Sequence, residues 1–170
     1  MIRLVISSCK EFRLDFNTTK IERFSECKLQ FVNEEVIENL YEDYLYVFVD
    51  EMLGKLKNIP ILSNRNMLGK MGKWQEYYYF ESNYNEQHYK EINIMKKAIF
   101  ISTENYGIFL YQCDGEMWLE IDKGFPESDK INPLDYYSAP NNYRVLLSTI
   151  SAEVIKEWKE QLEEIERVIL

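Results

Sequence analysis

The sequence predicts a single α+β domain over residues 1–170, built on one antiparallel sheet of about five or six strands. Two helical segments and one clear hairpin predict this class: a long helix in the first half, a C-terminal helix, and two alternating runs around Asp114-Gly115. A chain of 170 residues fits one domain with its own core. A hydrophobic content of 46% excludes a disordered chain.

Two strands and the long helix are expected before Pro60. Residues 1–16 alternate loosely, as a strand does, and "ECKLQFV" at about 26–32 predicts a second strand. Asn33 is a suitable N-cap for a helix over about 34–57, whose acidic first turn suits the positive end of the helix dipole. Apolar residues at helical spacing would form its buried stripe: Ile37, Tyr41, Tyr44, Phe48 and Met52.

The middle of the chain is predicted to contain a basic loop at 63–73 and an aromatic strand, "WQEYYYFES", at 74–82. Four further strands are expected, the first three as an antiparallel meander: 97–103, 107–113, 116–122 and 143–150. The final helix follows Ser151, a good N-cap, and should lie on the sheet. Its apolar stripe is Ile155, Trp158, Leu162, Ile165 and Ile169.

The Asp114-Gly115 turn fixes the register of the central hairpin, because a type I′ turn needs two residues that tolerate positive φ. Tyr111 then faces Trp118 across the hairpin, and alternation places one apolar set towards the core. The other face combines rings with carboxylates: Phe109, Tyr111, Glu116, Trp118, Glu120 and Asp122. Either a second layer of the protein covers this face, or the face binds a partner, with its rings as anchors and its carboxylates as an acidic rim.

Charge is unevenly distributed along the chain. There are 20 Lys and Arg residues against 29 Asp and Glu, a formal net charge of −9, so direct nucleic-acid binding is disfavoured. Residues 34–51 hold seven acids and no base, and residues 104–135 hold eight acids and two bases. A solvated surface explains part of this pattern, and a basic partner would explain it as well.

The chain is expected to be a cytoplasmic protein without contact with membranes. Its N-terminus lacks the apolar core of a signal peptide, and its apolar runs are too short to span a bilayer. Three widely spaced cysteines fit reduced thiols.

We expect no enzyme, metal or cofactor. His88 is the only histidine, and no motif surrounds it; Cys27 or Cys113 would meet it only through the fold. The sequence contains no CxxC, no HExxH and no phosphate-binding glycine loop.

Two segments carry a resemblance to a family. "AIFISTENYGIFLYQCDGEMWLEID" and "NPLDYYSAPNNYRVLLSTISAEVIKEWKEQLEEI", roughly the last 75 residues, resemble small cytosolic immunity proteins of bacterial polymorphic-toxin and contact-dependent growth inhibition systems. The shared features are the turn into "IFLY", the acidic "DG" hairpin, and a strand that ends in Ser before an amphipathic helix. The resemblance implies an inhibitor that binds a cognate toxin, which we expect to be basic and to be a nuclease.

Two surfaces are candidates for that contact. The first is the outer face of the hairpin: Tyr111, Glu116, Trp118, Glu120 and Asp122. The second is the acidic face expected for the first helix: Glu35, Glu38 and Glu42. The alternative function is an intracellular regulatory or adaptor domain that binds another protein or a small ligand, for which the Tyr-rich stretch 74–89 would matter more.

Overall fold

The computed structural model describes residues 1–16, 20–61, 98–102, 106–123 and 144–170. They form eight strands and two helices, which confirms the α+β class. The strands are β1 (Ile2–Ser7), β2 (Lys10–Asp15), β3 (Glu26–Asn33), β4 (Val36–Tyr44), β5 (Ile99–Ser102), β6 (Tyr106–Cys113), β7 (Glu116–Lys123) and β8 (Arg144–Ile150). The helices are α1 (Leu45–Lys57) and α2 (Ala152–Ile169). The expected loop at 63–73, the strand at 74–82 and His88 lie outside the described residues.

The prediction of one sheet with five or six strands is wrong. The named strands form two four-stranded antiparallel sheets, ordered β1-β2-β3-β4 and β5-β6-β7-β8. The chain divides into two compact units, one made of Met1–Asn58 with Ile150–Leu170 and the other of Ile59–Thr149. That residues 1–170 form a single domain stays a prediction.

The first unit packs the apolar face of its sheet against helices. The predicted strand at 1–16 is a hairpin of two strands, β1 and β2, and β3 continues the sheet as expected. Phe12 lies at the centre of the core, with its ring 6.0 Å from Phe31 and 5.5 Å from Trp158. Alternation along β2 and β3 therefore places every second side chain in this core.

The predicted helix over 34–57 is wrong in its first half, because residues 36–44 form β4. The apolar residues here fit a helical period and a strand equally well. Pairing with β3 favours the strand over the helix. β3 already pairs with β2 along one edge, and β4 satisfies the backbone N–H and C=O groups along its other edge. The helix begins at Leu45, whose N–H donates to the Ser25 carbonyl over 2.8 Å. It buries Phe48 and Met52 as predicted, whereas Ile37 and Tyr44 are exposed.

The C-terminal helix confirms its prediction. The Ser151 hydroxyl oxygen accepts a hydrogen bond from the Val154 N–H over 3.3 Å, as an N-cap does. The predicted stripe is the buried set: Ile155, Trp158, Leu162, Ile165 and Ile169. The indole Nε1 of Trp158 also donates to the Val5 carbonyl of β1 over 2.8 Å, so the helix is attached to the sheet by a directed bond. No helix among the described residues is long and apolar enough to cross a membrane.

The second unit contains the β6–β7 hairpin, and its register agrees with the prediction at every pair from Ile108↔Ile121 to Cys113↔Glu116. Asp114 and Gly115 have φ values of 53° and 81°, the left-handed conformations that the turn requires. Asp-Gly accepts these values at low cost, which explains why the sequence alone determined the register.

Candidate partner-binding surfaces

The outer face of the β6–β7 hairpin is largely covered. Phe109 and Tyr111 are 1% exposed and Glu120 is 2% exposed. The Tyr111 hydroxyl donates to Glu120 Oε2 over 2.9 Å, so the carboxylate has a partner inside the protein. The alternative of an open face is therefore wrong at Tyr111 and Glu120, whereas contact of these two residues with a partner stays a prediction.

The other hairpin candidates differ in exposure. Glu116 is exposed beside the turn, and Trp118 is half-buried. The backbone of Asp122 belongs to β7, and its side chain lies outside the described part of the structure. Among the described side chains of this candidate set, Glu116 is thus the one open to a partner.

In the second candidate set, Glu38 and Glu42 lie in β4, the last strand in the order of the first sheet, and Glu35 directly precedes this strand. We call residues 35–42 the acidic edge. Glu35 and Glu42 are exposed and Glu38 is partly exposed. Between the acids, Val36 and Ile37 expose 59% and 51% of their surface. Carboxylates and aliphatic side chains are therefore both accessible on one strand.

A register shift distributes the acids over both faces of the acidic edge. The shift separates the pair Leu29↔Tyr41 from the pair Gln30↔Asn39. Glu38 consequently lies opposite Phe31, on the face of the core, and Glu42 opposite Lys28, on the other face. A helix would have placed Glu38 and Glu42 on one side, since they are four residues apart. The Glu42 Oε1 atom lies 3.6 Å from Lys28 Nζ, a solvent-exposed ion pair.

Beyond the acidic edge, four residues form a surface cluster that we call the aromatic corner: Arg23, Phe24, Tyr44 and Tyr46. Phe24 is 64% exposed and Tyr44 is 43% exposed. The Tyr44 and Tyr46 rings stack at 6.3 Å, and Phe24 meets both edge-on at 5.9 and 5.5 Å. The Arg23 guanidinium lies 5.2 Å from the Tyr46 centroid and 5.7 Å from the Phe24 centroid, within cation–π range.

Asp43 holds the backbone where β4 meets α1. It accepts hydrogen bonds from the Tyr41 hydroxyl over 2.6 Å and from the Tyr44 N–H over 2.7 Å. These two donors lower the pKa of Asp43, so the carboxylate stays charged under ordinary conditions. The position of Tyr44 in the aromatic corner is therefore fixed by a charge-assisted bond.

A depression of about 200 Å³ adjoins the aromatic corner. Its walls include Arg23, Tyr46, Val49, Asp50, Glu166 and Ile169. Sequence reasoning missed the depression and the aromatic corner. It assigned Tyr44 to the buried stripe of a helix, and no local pattern connects Arg23 with residues of the last helix turn.

Cys27 is poorly suited to act as a nucleophile. Burial, together with the charge of Asp15, raises the pKa of the Cys27 thiol to about 12, so very little thiolate forms at neutral pH. Within the described residues, no group of three or more His, Cys, Asp or Glu side chains could hold a metal ion.

Comparison of the chain with protein families, with curated proteins and with solved structures found no match.

Proposed function

We propose that this chain is an immunity protein that neutralises a cognate toxin domain by binding it through the acidic edge. One observation carries the choice of surface: β4 presents accessible acids on both of its faces, around two exposed aliphatic side chains. The resemblance to immunity proteins supplies the class of partner. A nuclease is the toxin that fits best, because its phosphate-binding surface is basic.

The composition of the acidic edge favours binding over simple protection of a sheet edge. Charged side chains on edge strands prevent aggregation, and acids alone would serve that purpose. Val36 and Ile37 work against it, because exposed aliphatic residues on an edge promote association. Apolar contacts inside a charged rim are instead the usual composition of a protein interface.

The dimensions of the acidic edge suit one protein contact. From Val36 to Glu42 the strand spans about 20 Å at about 3.3 Å per residue. Negative charge over such a length accelerates the encounter with a basic protein by up to two or three orders of magnitude at low salt. Rapid capture is what a cell requires from an inhibitor of its own toxin.

The test begins with capture of the partner. The tagged protein is purified from a strain that carries its complete genetic locus, and co-purifying proteins are identified by mass spectrometry. We expect a stoichiometric complex with a basic toxin domain and loss of toxicity when the two are expressed together. A partner without toxic activity would contradict the immunity role and support the regulatory or adaptor alternative.

The binding surface is tested with two matched triple variants. E35K/E38K/E42K reverses the acidic edge, and E157K/E160K/E164K reverses three acids on α2. Each Glu→Lys substitution changes the charge by +2. Both triple variants therefore change the net charge of −9 by the same amount. Each variant also breaks one exposed ion pair, Glu42–Lys28 at 3.6 Å or Glu160–Lys156 at 3.7 Å.

We expect the edge variant to slow association with the captured toxin by about 10- to 100-fold at low salt and to flatten its salt dependence. The α2 variant should stay within about threefold of the unmodified protein. Because lysine also protects an edge strand, the edge variant should aggregate no more than the unmodified protein. Equal association rates for both variants would reject the acidic edge as the contact.

A further inference from the structure

We propose that the depression beside the aromatic corner binds one arginine or lysine side chain, donated by the partner that lies along the acidic edge. The identity of the donor rests on the proposed function. The chemistry of the site rests on its own walls, all of which belong to the first unit.

The size of the depression suits one long side chain. Its volume of about 200 Å³ equals that of roughly six or seven water molecules. Sites for metabolites and cofactors usually measure about 300–1,000 Å³. The depression is therefore small for such a ligand, whereas an extended arginine or lysine side chain is of the right order.

The walls match the two parts of such a side chain. Asp50 and Glu166 supply carboxylates, and Val49 and Ile169 supply apolar surface. Arginine and lysine bury their methylene stems against apolar atoms while the charged group meets polar atoms. Asp50 belongs to α1 and Glu166 to α2, so carboxylates from two helices are available to one cation.

Arg23 contributes a positive charge to the same walls. The three charged side chains of the walls, Arg23, Asp50 and Glu166, nevertheless sum to −1. Its guanidinium lies over the rings of Phe24 and Tyr46 at 5.7 and 5.2 Å. Aromatic residues and arginine are the types most enriched at binding hot spots. Arg23 therefore serves as a rim residue that supports the rings, and the carboxylates provide the attraction.

The depression is also placed where the partner would pass. Tyr44 is both the last residue of β4 and a member of the aromatic corner. Tyr46 stacks on Tyr44 and lines the depression. A basic segment that follows the acidic edge from its hairpin end consequently arrives at the aromatic corner and can place one cation in the depression.

The test uses the full chain and two matched probes. N-acetyl-arginine amide and N-acetyl-citrulline amide have nearly the same shape, but only the first is charged. Each is titrated into isotopically labelled protein, and NMR shifts of Tyr46, Val49 and Ile169 are followed. We expect the arginine probe to saturate in the low-millimolar range and the citrulline probe to bind at least tenfold more weakly. Equal binding of the two, or shifts confined to other residues, would overturn the proposal.

A near-isosteric variant removes the two carboxylate charges. D50N/E166Q should weaken binding of the arginine probe about tenfold, whereas E157Q/E164Q, on the exposed surface of α2, should leave it unchanged. The same two variants are then compared with the captured toxin, where D50N/E166Q should raise the dissociation constant at least tenfold. Unchanged toxin affinity in D50N/E166Q would overturn the inference while the immunity role stands. Failure to capture any toxin would count against that role alone, because the probe titration needs no partner.

Discussion

At the scale of single residues, the clearest electrostatic feature is Glu11 between Arg3 and Arg13. Glu11 is 5% exposed, and its carboxylate accepts hydrogen bonds from Arg3 Nε over 2.6 Å and Arg13 Nε over 2.5 Å. The two arginines are direct neighbours across β1 and β2. The negative charge of Glu11 therefore offsets the repulsion between the two neighbouring guanidinium groups.

We predict that Glu11→Gln lowers the free energy of unfolding by about 1–3 kcal/mol, because a neutral amide leaves two neighbouring cations uncompensated. Urea unfolding of both proteins at pH 7 measures this difference. The double variant E11Q/R13M should recover part of the loss, because it removes one of the cations. A change below about 0.5 kcal/mol would contradict the assigned role.

The same carboxyl group predicts a pH dependence. Burial disfavours its charged form, but the hydrogen bonds and charges of Arg3 and Arg13 outweigh burial and lower the pKa of Glu11. A lowered folded-state pKa means that the stabilisation is complete above the unfolded value of about 4.3 and is lost as the pH falls through the folded value. The difference between the unmodified protein and E11Q should therefore shrink below about pH 4, and a difference that grows on acidification would refute this cause.

At the scale of elements, the β3–β4 hairpin depends on a strained turn. Glu34 has a φ of 54°, a left-handed conformation that costs a residue with a side chain about 1–2 kcal/mol. Its N–H donates to the Cys9 carbonyl of the neighbouring β1–β2 turn over 3.0 Å. The hydrogen bond between the two turns helps to hold Glu34 in this conformation. A helix that began at residue 34 would not contain a residue with positive φ at this position.

We predict that Glu34→Gly stabilises the protein by about 0.5–1 kcal/mol. Glycine relieves the strain at this position, but it also raises the conformational entropy of the unfolded chain, which offsets part of the stabilisation. Glu35→Gly is the matched control, since Glu35 is not among the residues with positive φ. It should be neutral or destabilise by up to about 1 kcal/mol. Thermal unfolding compares the two, and equal effects would argue against strain at Glu34.

The elements also show what a sequence pattern can determine. The β6–β7 register and α2 were predictable because each depends on local chemistry: the Asp114-Gly115 turn in one case and the Ser151 cap with a regular apolar stripe in the other. The strand character of 36–44 was not predictable from periodicity, because it depends on pairing with β3. Burial of Tyr111 and Glu120 was equally inaccessible, since alternation separates two faces of a strand but does not tell whether the second is covered.

For the candidate site, the sequence identified the acids of the acidic edge but misplaced their geometry. Glu35, Glu38 and Glu42 were expected on one helix face. Glu38 and Glu42 lie instead in a strand with a register shift, and Glu35 lies in the turn before it. The aromatic corner and the depression combine residues from around position 23, from α1 and from the last turn of α2. Contacts over such sequence distances arise from tertiary packing and leave no local signal.

At the scale of the whole molecule, the first unit is discontinuous in sequence. Its sheet and α1 come from the first 58 residues, and α2 comes from the last 21, Ile150–Leu170. Trp158 of α2 is completely buried beside Phe12 of the sheet. The core of this unit is consequently incomplete until both ends of the chain are present.

We predict that a fragment of residues 1–149 lacks the near-ultraviolet circular dichroism of the packed core and regains it when a peptide of residues 150–170 is added. A peptide with Trp158→Ala should fail, because removal of a buried tryptophan costs about 3–5 kcal/mol. A peptide with Glu157→Ala, at an exposed position, should restore the signal. A native-like spectrum of the 1–149 fragment without peptide would contradict the role of α2.

The two segments of the first unit are synthesised at different times, because one lies at the start of the sequence and the other at its end. About ninety residues separate α1 from the segment that completes its core. At about 5–20 residues per second, the ribosome needs roughly 5–20 s to synthesise them. If the sheet forms as it is synthesised, its apolar face lacks its final cover during that interval, and we expect the newly made chain to be more prone to aggregation than the finished protein.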